Sequence, residues 1–207
     1  MILSDREIRI FVEQRRIIIS PVPPASAWSS TAVDLSLSHK LLEWKTFSSN
    51  PAMGYWPKFC PGIPNFNVNT IIRENTKEVT ISYDVPYQLE KGAFILAWTV
   101  EKVYLPVSSR IAARVEGKSS LARLGLGVHV TAPTIHAGFG LAVTRDLKAK
   151  TPQEQGLPIQ LEIWNAGPLP IALVPNMRIC QIIFEEVHGT PEQGNSGQFV
   201  GQGPTPD

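Results

Sequence analysis

Ten residues, Gly117 to Leu126, gather two cations (Lys118, Arg123), two hydroxyls (Ser119, Ser120) and two glycines (Gly117, Gly125), with no carboxylate among them. That composition suits a polyanion: Arg offers a forked guanidinium, Lys a point charge and Ser short donors. A nucleoside triphosphate is the first candidate. A phosphate-binding P-loop requires Gly-x-x-x-x-Gly-Lys-Ser/Thr, and the position five before Gly117 is Ala112, so that motif is excluded. The run before it, Arg110 to Glu116, is strand-like rather than glycine-rich.

A carboxylate stands downstream on another segment. In Ile159 to Trp164, Ile159, Leu161 and Ile163 fall on one face of a strand, and Gln160, Glu162 and Trp164 on the other. Glu162 therefore points away from the core this strand builds, and by residue type alone it is either a solvated glutamate or a general base. His129 leaves a similar choice, between a half-buried position on an alternating strand and a direct role. Metal chemistry is constrained by the cysteines. The zinc sites that activate water for attack on a nucleobase need His-x-Glu or Cys-x-Glu followed by Pro-Cys-x-x-Cys; the chain holds only Cys60 and Cys180, so catalytic zinc is not expected.

The segment Gly117 to Leu126 resembles the signature of the dCTP deaminase branch of the trimeric dUTPase superfamily, Gly-Arg/Lys-Ser-Ser-Leu-Ala/Gly-Arg-Leu-Gly-Leu. Other stretches follow in the same order: Met1 to Ile8, Thr31 to Leu37, His129 to Ala132, Leu161 to Ile163, and the tail Gly201 to Pro206. The resemblance implies a distorted, jelly-roll-like β-barrel and a homotrimer with sites at subunit interfaces. It implies deamination of dCTP to dUTP, with Glu162 as base and Ser119 and Arg123 as polar stabilisers, often reaching the neighbouring subunit's nucleotide. Magnesium is expected to ride on the triphosphate. Further nucleotide contacts are implied for Lys118, Ser120, Gln181, Val130, Thr131 and Ala132, the last leaving room for the attacking water. The tail implies a lid in which Gln202 touches the nucleotide and Phe199 replaces a tyrosine.

Two departures qualify the match. The family continues Ile-Asp-Pro-Gly-Phe/Trp-x-Gly, whereas this chain reads Ile135-His136-Ala137-Gly138-Phe139-Gly140, so His136 stands at the position of an acid near the deoxyribose. In dUTP-hydrolysing relatives that acid activates water, so its loss argues against efficient dUTP hydrolysis. The second departure is an insertion, Leu141 to Pro158, carrying Arg145, Lys148 and Lys150 and read as a surface loop. The alternatives are a diphosphatase acting on dUTP or a modified pyrimidine triphosphate, and a nucleotide-binding paralogue without turnover.

The elements that must position these residues are mainly β. The chain has 207 residues, 43% of them hydrophobic, with 18 Pro and 15 Gly breaking many short apolar runs. One domain is expected, its residues 190–207 forming a flexible lid. Ser4 and Glu7 form a capping box that opens one short helix, with Ile8, Phe11 and Val12 on one face. Strands are predicted over Ala32–Leu37, Phe94–Val100, Arg110–Val115, Ile159–Trp164, Pro170–Val174 and Arg178–Val187; Phe47–Lys77 reads as a structured loop. A net charge of +1 gives no general attraction to nucleic acid. No run of eighteen apolar residues and no basic-then-apolar leader occurs, and the two cysteines suggest no disulfide framework, so a soluble cytoplasmic protein is expected.

Overall fold

The computed structural model describes residues 1–45, 60–141 and 156–192. Helix α1 spans Asp5–Glu13, and both halves of its capping box form: the Ser4 side chain accepts from the Glu7 amide while the Glu7 carboxylate reaches back to Ser4. Its buried residues, Ile8 and Phe11, set it on the sheet. Strand β1 is Ile18–Ser20, and β2 is Val33–Trp44, longer than the alternation over 32–37 suggests. Val33, Leu35 and Leu37 are fully buried on one face of β2.

The loop reading of Phe47–Lys77 needs correction. Residues 46–59 lie outside the described residues, but Val68–Asn75 forms helix α2 and Thr76–Thr80 forms strand β3. The asparagines that suggested irregular chain include an N-cap: Asn67 Oδ1 accepts from the Thr70 amide at 3.1 Å. Strands β4 (Tyr87–Leu89), β5 (Phe94–Tyr104) and β6 (Ile111–Gly117) follow. Helix α3 is one turn, Ser119–Ala122. Two short strands, β7 (Leu126–Gly127) and β8 (Thr134–Ile135), precede β9 (Leu157–Asn165), β10 (Ile171–Leu173) and β11 (Arg178–Glu186). Leu157 and Pro158 thus belong to β9 rather than to the inserted loop.

The fold is mainly β. Nine strands form one curled sheet along the path β7-β9-β5-β2-β11-β6-β8, with β1 beside β5 and β3 beside β2; β4 and β10 make a separate pair. Its concave side holds the core, including Phe184, Leu35, Leu41, Ile95, Leu161 and Ile163, all nearly or fully inaccessible. Burying side chains of this size stabilises the fold by roughly 1.5–3 kcal/mol each. Among the described residues the sheet does not close on itself. Its two ends, β7 and β8, are joined directly by residues 128–133, a segment that spans roughly 25 Å at most. The curl therefore brings the two edges close, and the gap between them is a seam.

Candidate active site at the seam of the sheet

The expected alternating strand at His129–Ala132 is not formed; these residues cross the seam as irregular chain. The physical reason is topological, because a segment that leaves one sheet edge for the other has no neighbouring strand to pair with. On the opposite side, β7 pairs β9 only at Trp164 and Asn165, so the edge of β9 from Leu157 to Ile163 has no strand partner there among the described residues. Between that edge and the crossing chain lies a cavity of about 390 Å³. Val115, Val128, Phe139, Ile159 and Leu161 supply apolar wall; His129, His136, Gln160 and Glu162 supply polar groups.

Glu162 emerges as the alternation requires: Ile159, Leu161 and Ile163 are buried beneath it. Its own face is not plain solvent, however. Its cross-strand partner is Leu96, which is buried, as is Trp98 beside Gln160. Burial pushes the Glu162 carboxyl above the usual carboxylate value, opposed by a backbone hydrogen bond and by the nearby His129. His129 Nε2 lies 3.8 Å from Glu116 Oε2, while its Nδ1 is buried without a hydrogen-bond partner among the described residues.

A second cavity, about 410 Å³, lies under the signature segment and is lined by Glu116, Gly117, Lys118, Ser119, Ser120, Ala122 and Gln181. Ser119, Ser120 and Arg123 are exposed. Gln181, on β11, donates from Nε2 to the Gly117 carbonyl at 3.2 Å and so braces the strand end from which the segment leaves. The charge of Lys118 is engaged: its Nζ is 2.5 Å from Asp34 Oδ1, and Arg178 Nη1 is 3.7 Å from the other oxygen of the same carboxylate. Arg178 is itself held by the Ser26 carbonyl at 2.6 Å. Deeper in the same region, burial pushes the Cys180 thiol far up, with Glu101 and Asp34 adding to the effect and Lys118 opposing it.

The predicted residues thus fall into two groups. Glu162, Ala132 and His136 line the seam cavity; Lys118, Ser119, Ser120 and Gln181 line the second, with Arg123 beside them at the end of α3. Val130 and Thr131 are exposed and line neither cavity. Phe199 and Gln202 lie outside the described residues, as do Arg145, Lys148 and Lys150 of the insertion. Sequence reasoning missed Glu116, which sits one position before the carboxylate-free segment and touches His129. It also assigned no role to Asp34, although the alternation Val33-Asp34-Leu35 already turns that carboxylate off the core face.

A family model described as dCTP deaminase-like matches residues 2–187. The chain belongs to this family. Among similar curated proteins, a "dCTP deaminase, dUMP-forming" of Methanosphaera stadtmanae is 34% identical over 97% of this chain and 89% of its own length. A "dCTP deaminase" of Rhodospirillum rubrum is 35% identical over 89% of this chain and 82% of its own. Among solved structures, the 2'-deoxycytidine 5'-triphosphate deaminase from Agrobacterium tumefaciens superimposes with a TM-score of 0.62 at 23% identity, which shows likeness of fold. That match covers 90% of this chain and 48% of the Agrobacterium chain, so the protein spans about half the length of that relative. Within the dCTP deaminase-like frame, the seam and the signature segment are the regions to which a function has to be fitted. Among the described residues, no helix is long and apolar enough to cross a membrane.

Proposed function

We propose that this protein is a cytoplasmic dCTP deaminase that converts dCTP and water to dUTP and ammonia, with the cytosine in the seam cavity. The single observation that carries the reading is Glu162: a half-buried carboxylate on the open edge of β9, its pKa raised by burial, lining a cavity of about 390 Å³. A carboxylate of raised pKa is better matched to proton transfer near neutral pH than an ordinary one. Glu162 takes a proton from water as the oxygen adds to C4 of cytosine and passes it to N3; as the C4 carbonyl forms, the hydroxyl proton goes through Glu162 to the amine, which departs as ammonia. Ser119 and Arg123 stabilise the polar centre, reaching a neighbouring subunit's nucleotide in a homotrimer. The exposure of both side chains on a single chain supports that arrangement.

The triphosphate is assigned to the second cavity, which Ser119, Ser120 and Lys118 line, the Lys118 charge being shared with Asp34. Mg²⁺ bound through the triphosphate fits this lining: one carboxylate, Glu116, and two serine hydroxyls are oxygen donors suited to the ion or its waters, too few for an all-protein cage. Its contribution is to neutralise phosphate charge. The product is assigned as dUTP, although relatives such as the Methanosphaera protein are named dUMP-forming. His136, which lines the seam cavity, stands where the family pattern has the acid that activates water against the triphosphate. An imidazole there lacks that acid's charge; in its neutral form it can donate to or accept from the 3′-hydroxyl, and in its charged form it presents only donors.

Glu162→Gln tests the reading. It is expected to bind dCTP within about threefold of the parent in calorimetry while losing at least about 10³-fold in ammonia release, within the range for removing a positioned acid–base group. An active Glu162→Gln enzyme would overturn the assignment of the base.

A further inference from the structure

Asn165 ends β9 three positions beyond Glu162 and is fully buried. Its Nδ2 donates to the carbonyls of Leu89 at 2.9 Å and Leu169 at 2.8 Å, and its Oδ1 accepts from the Gly167 amide at 2.9 Å. The side chain therefore satisfies both donors and one acceptor site with backbone alone, and ties β4, the end of β9 and the turn 165–169 into one unit. That turn is pressed against the signature segment. The Ala166 amide donates to the Gly125 carbonyl at 2.9 Å, and Leu126 is registered against Asn165 itself. A methyl group on Gly125 would lie 2.2 Å from the Gly167 nitrogen, and one on Gly167 would lie 2.0 Å from the Leu124 carbonyl oxygen. Neither backbone has room to shift without moving the other.

We propose that Asn165 is a positioning residue for the reaction: it fixes the turn 165–169, the turn fixes Gly125, and Gly125 fixes where Ser119 and Arg123 stand relative to the sheet. This role for Asn165 rests on the reading that Ser119 and Arg123 serve the reaction. Its structural half is independent of that reading. Asn165 lines neither cavity, so it acts by position and not by contact with a nucleotide. A buried amide that spends its side chain on three carbonyl and amide partners defines a turn far more tightly than the short turn itself requires. Misplacement of a reacting group by about 1 Å can lower turnover on the order of 10²-fold, so a loosened segment is costly even when every side chain in it is intact.

Two measurements on the full chain test the proposal. The first is amide hydrogen exchange in Asn165→Asp, which keeps the acceptor for Gly167 but removes both donors. Faster exchange in residues 119–125, with β11 protected as in the parent, is expected; unchanged exchange in 119–125 overturns the proposal. The second is a double-mutant cycle on kcat for dCTP with Arg123→Lys. Asn165→Asp is expected to lower kcat by roughly 30-fold in the parent but by less than about threefold in the Arg123→Lys background, where the segment's contribution is already lost. The same factor in both backgrounds would make Asn165 merely structural. If Asn165→Asp does not fold, Asn165→Ser replaces it in both measurements, because it withdraws the amide from Leu89 and Leu169 without burying a charge. If Arg123→Lys alone leaves kcat unchanged, the functional reading of Arg123 fails, and the exchange measurement still decides whether Asn165 fixes the segment.

Discussion

The two cavities have similar volumes, about 390 and 410 Å³, but handle charge in opposite ways. At the seam, apolar walls from Val115, Val128, Phe139, Ile159 and Leu161 desolvate the Glu162 carboxylate, and its pKa rises although His129 opposes the shift. Under the signature segment, Lys118 is already partnered by Asp34, Arg178 stands behind the same carboxylate, and Glu116 adds a negative charge to the lining. The first arrangement raises the proton affinity of a carboxylate. The second holds a cation in place at the cost of part of its attraction for phosphate. A segment rich in cations by composition thus has one of its two, Lys118, paired with a carboxylate, while the other, Arg123, is exposed and has no ion-pair partner among the described residues.

Changes confined to one cavity should separate these roles. After the loss expected of Glu162→Gln, the largest effect belongs to the signature segment. Ser119→Ala and Arg123→Ala should each lower kcat/KM for dCTP by about 10²-fold, in the range seen when a positioned polar stabiliser is removed. Steady-state assays check this, and wild-type kinetics in both variants would break the division between the cavities. His136→Asp should add a measurable yield of dUMP and pyrophosphate from dCTP, detected by ion-exchange separation of products. If dUTP alone persists, the residue at 136 does not control the product.

The ion pair predicts a change in stability rather than in rate. Asp34→Asn leaves Lys118 and Arg178 with a weakened partner in a largely buried setting, and should cost about 2 kcal/mol in urea unfolding. No change would mean that the pair positions nothing. The smallest effect is electrostatic. The folded-state pKa of Glu162 is raised, so its contribution is fully favourable below the unfolded value, 4.5 in model compounds, and is lost as pH rises through the folded value. Glu162→Gln should accordingly melt slightly above the parent at pH 7, with the gap closing as pH falls toward 4.5. A gap that is independent of pH would contradict the desolvation of this carboxylate. In activity, the same shift places the acid limb of kcat above the ordinary carboxylate range.

Local periodicity made much of this legible. The capping box of α1, the alternation that turns Glu162 away from Ile159, Leu161 and Ile163, and the strand leading into Gly117 are each written within a few adjacent residues. What escaped depends on pairing across the chain. Asp34 meets Lys118 only because β11 pairs both β2 and β6, placing Gln181 opposite Asp34 on one side and opposite Glu116 on the other. The irregular path of His129–Ala132 follows from a sheet that curls but does not close, which no property of those four residues encodes. Helix α2 was hidden because its cap, Asn67, sits among asparagines and prolines that read equally well as turn chemistry.

Incubating the purified protein with dCTP and Mg²⁺, while following ammonia, pyrophosphate and nucleotide products together, tests the central claim most directly. One ammonia released for each dCTP consumed, with dUTP accumulating and no pyrophosphate, is the result this account predicts. Nucleotide binding with no ammonia and no dUTP would contradict it.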